Sequence, residues 1–137
     1  MKILSMPAGG AKAELIFPPE TDWEGYADNA SDTAEVTSTL LRAVINGQSR
    51  GVTFFKSFTA YGSNKTITIT ASSVNSRRLY VYINGVEASV TVLANNINTI
   101  NTITVPLPAG ENNVQFRLVN ASWPTGGNTI IRTVSVS

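Results

Sequence analysis

Short runs of alternating apolar and polar residues follow one another from residue 51 to the end of the chain. Between residues 65 and 70, Ile67 and Ile69 alternate with polar residues, so an extended segment would have one apolar and one polar face. Similar runs lie at residues 51–58, 78–83, 88–93, 100–107, 114–119 and 130–136. Turn residues such as Asn84-Gly85 separate them. Seven strands without helical gaps predict an all-β fold, an antiparallel β-sandwich of the jelly-roll type.

The first 50 residues are less regular. Residues 14–17 are predicted to form a strand that ends before Pro18-Pro19. Within residues 32–46 the pattern fits two structures, because residues 32–35 resemble a helix capping box whereas residues 36–39 favour a strand. We therefore expect either one short helix or a strand there. The length of 137 residues predicts a single domain, 1–137, with residues 1–13 as a flexible or extended arm.

The chain contains no histidine and no cysteine. Their absence excludes a Ser-His-Asp triad, a thiolate nucleophile and disulfide bonds, and it removes the commonest metal ligands. Serine or threonine nucleophiles would need Lys56 or Lys65 as a buried base. Seven of the nine carboxylates lie within residues 14–35 without EF-hand spacing, which indicates a solvated acidic loop, with a calcium site as the alternative. We predict that the chain is not an enzyme.

The charge pattern restricts the partners. The formal net charge is +1, and only Arg77 and Arg78 are adjacent among the basic residues, so no basic stripe for a nucleic acid is present. No segment approaches the roughly 18 apolar residues of a membrane helix. The apolar stretch near Met1 is too short for a secretion signal. We expect a protein retained in the cell that makes it, or one whose signal has been removed.

Aromatic residues are the best candidates for ligand contacts. Trp123 lies in a loop rich in proline and glycine, where it can stack on a sugar or a partner, or pack over the end of the sandwich. Trp23 and Tyr26 in the acidic segment allow the same two interpretations. Tyr80 and Tyr82 share one face of their strand, so they form an outward pair if the residues between them fill the core.

Three short motifs resemble the β-sandwich carbohydrate-binding modules of families six and thirty-five. They are the strand ending in Asn-Gly at residues 79–85, the Leu-Pro-Ala-Gly turn and strand at 107–114, and the Gly-Asn segment at 127–130. Their order agrees over roughly residues 51–136. The resemblance implies a sandwich that holds a sugar in a cleft at one end, between two aromatic rings. It also implies that Asn128 hydrogen-bonds a sugar hydroxyl.

The sequence departs from that group at the sugar platform and at its calcium site. Ile97 and Ile100 stand where tryptophans are common, so Trp123 or Tyr61 is expected to supply the second ring. Of the early glutamate pair of the group only Glu14 is present, and residues 130–132 contain no acidic residue. A structural calcium is therefore poorly supported, and we expect no cofactor.

Two functions follow. The first is a non-catalytic module that binds a polysaccharide or cell-surface glycan through Trp123, Asn128, Tyr61, Tyr26 and Trp23, as part of an extracellular protein. The alternative is a virion protein, such as a capsid-decoration or tail component, because low charge and polar sheet faces suit close subunit packing. That alternative predicts a homo-oligomer, a trimer or larger.

Overall fold

The computed structural model describes residues 2–4, 14–17, 23–47, 50–60, 65–121 and 126–137, with the backbone alone at 2–4, 14–17, 58 and 59. The described residues form strands and turns, and none of them lies in a helix able to cross a membrane. The strands are β1 (Lys2–Leu4), β2 (Glu14–Phe17), β3 (Glu24–Ala27), β4 (Thr33–Val36), β5 (Leu41–Val44), β6 (Gly51–Ala60), β7 (Lys65–Ser73), β8 (Arg77–Ile83), β9 (Val86–Leu93), β10 (Asn96–Leu107), β11 (Gly110–Asn120) and β12 (Asn128–Val136).

The strands form two sheets. The first has the order β1-β6-β11-β8-β9, with β3 also pairing β6. The second has the order β10-β7-β12-β5-β4, with β2 also pairing β12. All pairings are antiparallel except that of β1 with β6, and most connections cross from one sheet to the other. The predicted antiparallel β-sandwich is confirmed, as are its seven strands after residue 51.

The core lies between the sheets and is built by alternation. On β8, Leu79, Val81 and Ile83 are buried, and Phe116 of β11 lies opposite Val81 in register. Each fully buried aliphatic or aromatic side chain of this kind stabilises the fold by about 1.5–3 kcal/mol. The turn between β8 and β9 is the predicted one, because Asn84 and Gly85 have φ angles of 53° and 82°, as a two-residue hairpin requires.

The helix considered for residues 32–46 is wrong, because this segment is the β4–β5 hairpin. The decisive pattern is the alternation of Leu41, Ala43 and Ile45, which are fully buried with half-buried residues between them. Asp32 does not cap a helix. Its carboxylate accepts the backbone N–H of Asn46 at 2.8 Å and forms an ion pair with Arg50 at 2.8 Å.

One arginine lies inside the sandwich, at the end where β11 leads to β12. Arg77 is fully buried, and its Nη2 donates to the carbonyl oxygens of Gly126 at 2.7 Å and Gly127 at 3.2 Å. Burial lowers the pKa of Arg77, and the nearby Asp32 carboxylate opposes that shift. The guanidinium thus ties the start of β12 to β8.

Candidate functional site

The outer face of the first sheet carries aromatic side chains on three of its strands. Because Leu79 and Val81 face the core, Tyr80 and Tyr82 of β8 must face outward, as predicted. On β6, buried Phe54 leaves Phe55 on the outer face by the same alternation.

The strand register aligns this face in two rows. Tyr26 lies opposite Thr53, Thr53 opposite Arg117, and Arg117 opposite Tyr80. The neighbouring row runs through Phe55, Gln115 and Tyr82, with Glu24 opposite Phe55 and Glu87 opposite Tyr82 at its two ends. With about 4.8 Å between neighbouring strands, Tyr26 and Tyr80 lie roughly 14 Å apart across the sheet.

The aromatic rings form two pairs. Tyr80 and Tyr82 have ring centroids 6.3 Å apart and planes inclined by 17°, so the two rings are stacked and nearly parallel. Tyr26 and Phe55 have centroids 6.2 Å apart at 62°, an edge-to-face contact. Tyr26 is 48% exposed, and Tyr80 and Tyr82 are partly exposed. We call the outer surface formed by Tyr26, Phe55, Tyr80, Tyr82 and Arg117 the tyrosine face.

Arg117 connects the two aromatic pairs. Its Nη2 and Nη1 donate to the two carboxylate oxygens of Asp28 at 2.6 and 3.3 Å, and Nη1 also donates to Thr53 Oγ1 at 3.2 Å. The hydrogen bond from Arg117 lowers the pKa of Asp28, and that of Arg117 is raised in return. Both groups therefore stay ionised at neutral pH, so the centre of the tyrosine face is polar but balanced in charge.

Close packing beneath β3 holds Tyr26 in place. Gly25 lies opposite Phe54 in register, and a Cβ atom on Gly25 would lie 2.8 Å from the Phe54 ring. Asp28 fixes the end of β3, since its backbone N–H donates to the carbonyl oxygen of Gly51 and its Oδ2 accepts the N–H of Gly51. The position of Tyr26 therefore depends on a glycine and a carboxylate that flank it.

The predicted ligand residues do not form one cluster. Trp23 is 3% exposed and stacks on Phe116 with centroids 5.2 Å apart, so it is a core residue and offers no face to a ligand. Asn128 begins β12 on the second sheet, apart from the tyrosine face, and is half-buried. Trp123 and Tyr61 lie outside the described residues. Of the predicted residues that the structure describes, Tyr26, Tyr80 and Tyr82 lie on one sheet face.

Sequence reasoning missed Phe55, Gln115 and Arg117. The signal was present in both strands, because alternation along residues 51–58 and 114–119 places these three side chains on the face opposite the core residues. The alignment of β3 with β6, which brings Tyr26 to the same face, has no comparable signal in the sequence.

Acidic side chains do not cluster in the part of the chain that the structure describes. Among these residues, no group of three or more acidic or histidine side chains could hold a metal ion. After Asn128, Ile131 is buried, and Arg132 Nε donates to Ser72 Oγ at 2.7 Å. The expectation of no cofactor stays a prediction.

The fold of this chain is similar to that of solved carbohydrate-binding modules. The sequence matches no protein-family model and no curated protein. Among solved structures, a family 61 carbohydrate-binding module in complex with β-1,4-galactotriose has a TM-score of 0.61 and 7% identity, over 85% of this chain and 88% of that one. A native family 35 module from Clostridium thermocellum has a TM-score of 0.60 and 16% identity, over 92% and 98%.

A third similar structure is a xylan-binding module of family 15, with a TM-score of 0.56 and 12% identity, over 93% of this chain and 96% of that chain. The chain therefore has the β-sandwich fold of carbohydrate-binding modules, and the fold expected from the sequence resemblance is confirmed. At these identities the likeness shows the fold alone.

Proposed function

We propose that this protein is a non-catalytic module that binds a neutral polysaccharide on the tyrosine face. The observation that carries the proposal is the stacked pair Tyr80 and Tyr82, whose ring planes are within 17° of parallel on an outer sheet face. The fold it shares with carbohydrate-binding modules supports glycan binding in general.

The chemistry of the face suits a sugar chain. One side of a pyranose ring presents C–H groups, which pack on an aromatic ring, while its hydroxyls need donors and acceptors nearby. Tyr80 and Tyr82 supply the aromatic surface, and Gln115, between Tyr82 and Phe55 in register, supplies both a donor and an acceptor.

The charge balance favours a neutral ligand. Asp28 pairs with both terminal nitrogens of Arg117, so no net positive charge remains at the centre of the face to attract a uronic acid. Because the two aromatic pairs are separated by roughly three strand spacings of about 4.8 Å, a chain of several sugars lying across the strands contacts both.

The first test is affinity electrophoresis in gels that contain soluble xylan, with polygalacturonate as the charged comparison, combined with calorimetric titration of β-1,4-galactotriose. We expect retardation by a neutral glycan and a fall in affinity of at least tenfold, about 1.4 kcal/mol, in Tyr80→Ala/Tyr82→Ala. The matched control is Thr104→Ala, an exposed residue on the outer face of the other sheet.

Equal folding of the variants is checked by circular dichroism and melting temperature. Binding by the double variant that equals wild type would contradict the tyrosine face as the site. Retention by polygalacturonate alone would contradict the neutral ligand. On this proposal the protein acts as part of an extracellular, glycan-targeted protein.

A further inference from the structure

One side of the sandwich ends in two open strand edges. Strand β9 is last in the first sheet and β10 is last in the second. Within the described part of the chain, no strand pairs the outer edge of either one. An open edge presents backbone N–H and C=O groups to any strand that can pair with it.

This side carries no charge over a long stretch. Residues 88–110 contain no Asp, Glu, Lys or Arg. The opposite side differs, because β3 carries Glu24 and the β4–β5 hairpin carries the ion pair of Glu35 with Arg42. Charged side chains, proline and bulges are the usual protection of an edge strand.

Strand β10 has such protection at both ends, whereas β9 has it at one end only. Strand β10 contains Pro106 and an irregularity between Asn96 and Asn101. Strand β9 carries Glu87 beside a register shift, but from Ser89 to Leu93 it is regularly paired and contains no charge or proline. These five residues offer a regular, unprotected edge.

The exposed hydrophobic residues gather at the same place. Val86, Val90 and Val92 of β9 are 69%, 45% and 58% exposed, and Ile100 of β10 is 52% exposed. These are four of the six large hydrophobic side chains that are exposed among the described residues. Val86 also lines an apolar groove of about 470 Å³ between the first residues of β9 and the last residues of β10.

We propose that β9 is a dimer interface, in which it pairs antiparallel with β9 of a second copy of this chain, centred on Thr91. That register places Val90 of each copy opposite Val92 of the other on the outer face. A symmetric interface sets a segment against its own copy, so a charge close to the two-fold axis would lie near a like charge. The run from Ser89 to Leu93 carries no charge, so pairing with its own copy brings no like-charge repulsion. This argues for a second copy of the chain over an unrelated partner.

Because the pairing uses the β9 edge of both copies, the assembly would stop at two. It would join the first sheet of one copy to the first sheet of the other as one continuous sheet. Its two-fold axis stands perpendicular to the sheet, so the outer faces of both copies lie on the same side. The inference does not rest on glycan binding, since a dimer forms or fails whatever ligand the outer face holds.

Sedimentation velocity over a concentration series tests the dimer. We expect wild type to shift from monomer to dimer as concentration rises. Val90→Lys/Val92→Lys should remain monomeric, because four ammonium groups would then meet at the interface. The control Thr102→Lys/Thr104→Lys, on exposed positions of β10, should dimerise like wild type.

Cross-linking gives an independent measurement, should the lysine variant fold poorly. The chain has no cysteine, so Thr91→Cys adds a single thiol that lies against its own copy in this register. Mild oxidation should yield a covalent dimer from Thr91→Cys and much less from Thr104→Cys. A wild type that stays monomeric at every soluble concentration, a trimer or larger assembly, a dimer that persists in the lysine variant, or equal cross-linking of the two cysteine variants would overturn the proposal.

Discussion

At the scale of single residues, Asp28 links three strands of the sheet that carries the tyrosine face. It binds both terminal nitrogens of Arg117 and the backbone N–H of Gly51, so it joins β3, β6 and β11. Tyr26 stands two residues before it on β3. Losing the carboxylate should therefore loosen one aromatic pair while leaving Tyr80 and Tyr82 in place.

This ion pair predicts a pH dependence. The pKa of Asp28 is lowered from 3.8, chiefly by Arg117, so the carboxylate stabilises the fold at neutral pH and loses that contribution as pH falls through the lowered value. Asp28→Asn should lower the free energy of unfolding at pH 7 by about 1 kcal/mol or less, since the pair is partly exposed. The difference in the free energy of unfolding between Asp28→Asn and wild type should shrink as the pH falls below 3.8.

Urea denaturation of wild type and Asp28→Asn, at pH 7 and at low pH, measures the free energy of unfolding under each condition. Glu24→Gln, which neutralises an exposed carboxylate on β3, is the control and should change little. An Asp28→Asn deficit that is the same at both pH values would contradict the electrostatic account.

Residue roles could be predicted from the sequence only where alternation determined the face. Tyr80 and Tyr82 were assigned outward correctly, because three apolar neighbours define the core side of β8. Trp23 was left between a ligand contact and packing, since it precedes a strand of four residues without apolar alternation of its own. Its burial depends on Phe116, a contact across 93 positions in sequence that no local pattern contains.

At the scale of elements, long strands were predictable, whereas among the short ones β2 was predicted at its observed bounds and β4 and β5 were left ambiguous. Strand β7 has nine residues and β11 has eleven, which gives each several periods of alternation. The β4 and β5 strands have four residues each, and four residues fit helical and strand spacing nearly equally well. Pairing with β12 and burial of Leu41 and Ala43 decide the structure there.

The hydrogen bonds of buried Arg77 to Gly126 and Gly127, just before β12, lead to a prediction about stability. In Arg77→Met the side chain is of similar length, but the carbonyl oxygens of Gly126 and Gly127 lose their buried hydrogen-bond donor. We expect the free energy of unfolding to fall by about 2–3 kcal/mol. Arg78→Met, at the exposed neighbouring position, should change it by less than about 0.5 kcal/mol.

Chemical denaturation of the two variants provides the comparison. Equal stability of Arg77→Met and Arg78→Met would mean that the buried guanidinium does not hold the loop. A stabilised Arg77→Met would mean that the cost of burying the charge exceeds the value of its hydrogen bonds.

At the scale of the whole molecule, the two outer sheet faces differ in chemistry. The first carries the tyrosine face, whereas the second carries threonines, with Thr70 opposite both Thr102 and Thr133 in register. Both sheets share the same core, so the stability of the fold does not require this difference.

The sandwich could be predicted from the alternation of apolar and polar residues in its strands. The placement of Tyr26 and Tyr80 on one face depends on strand order, which no local sequence pattern encodes. The virion alternative and its larger homo-oligomer stay predictions.

The most direct test separates the tyrosine face from the end loop that the sequence favoured. β-1,4-Galactotriose and xylan-derived oligosaccharides are titrated calorimetrically into wild type, Tyr80→Ala/Tyr82→Ala and Trp123→Ala. Our account predicts that the tyrosine variant loses at least tenfold in affinity while Trp123→Ala binds like wild type. Loss of binding in Trp123→Ala with full binding in the tyrosine variant would contradict it.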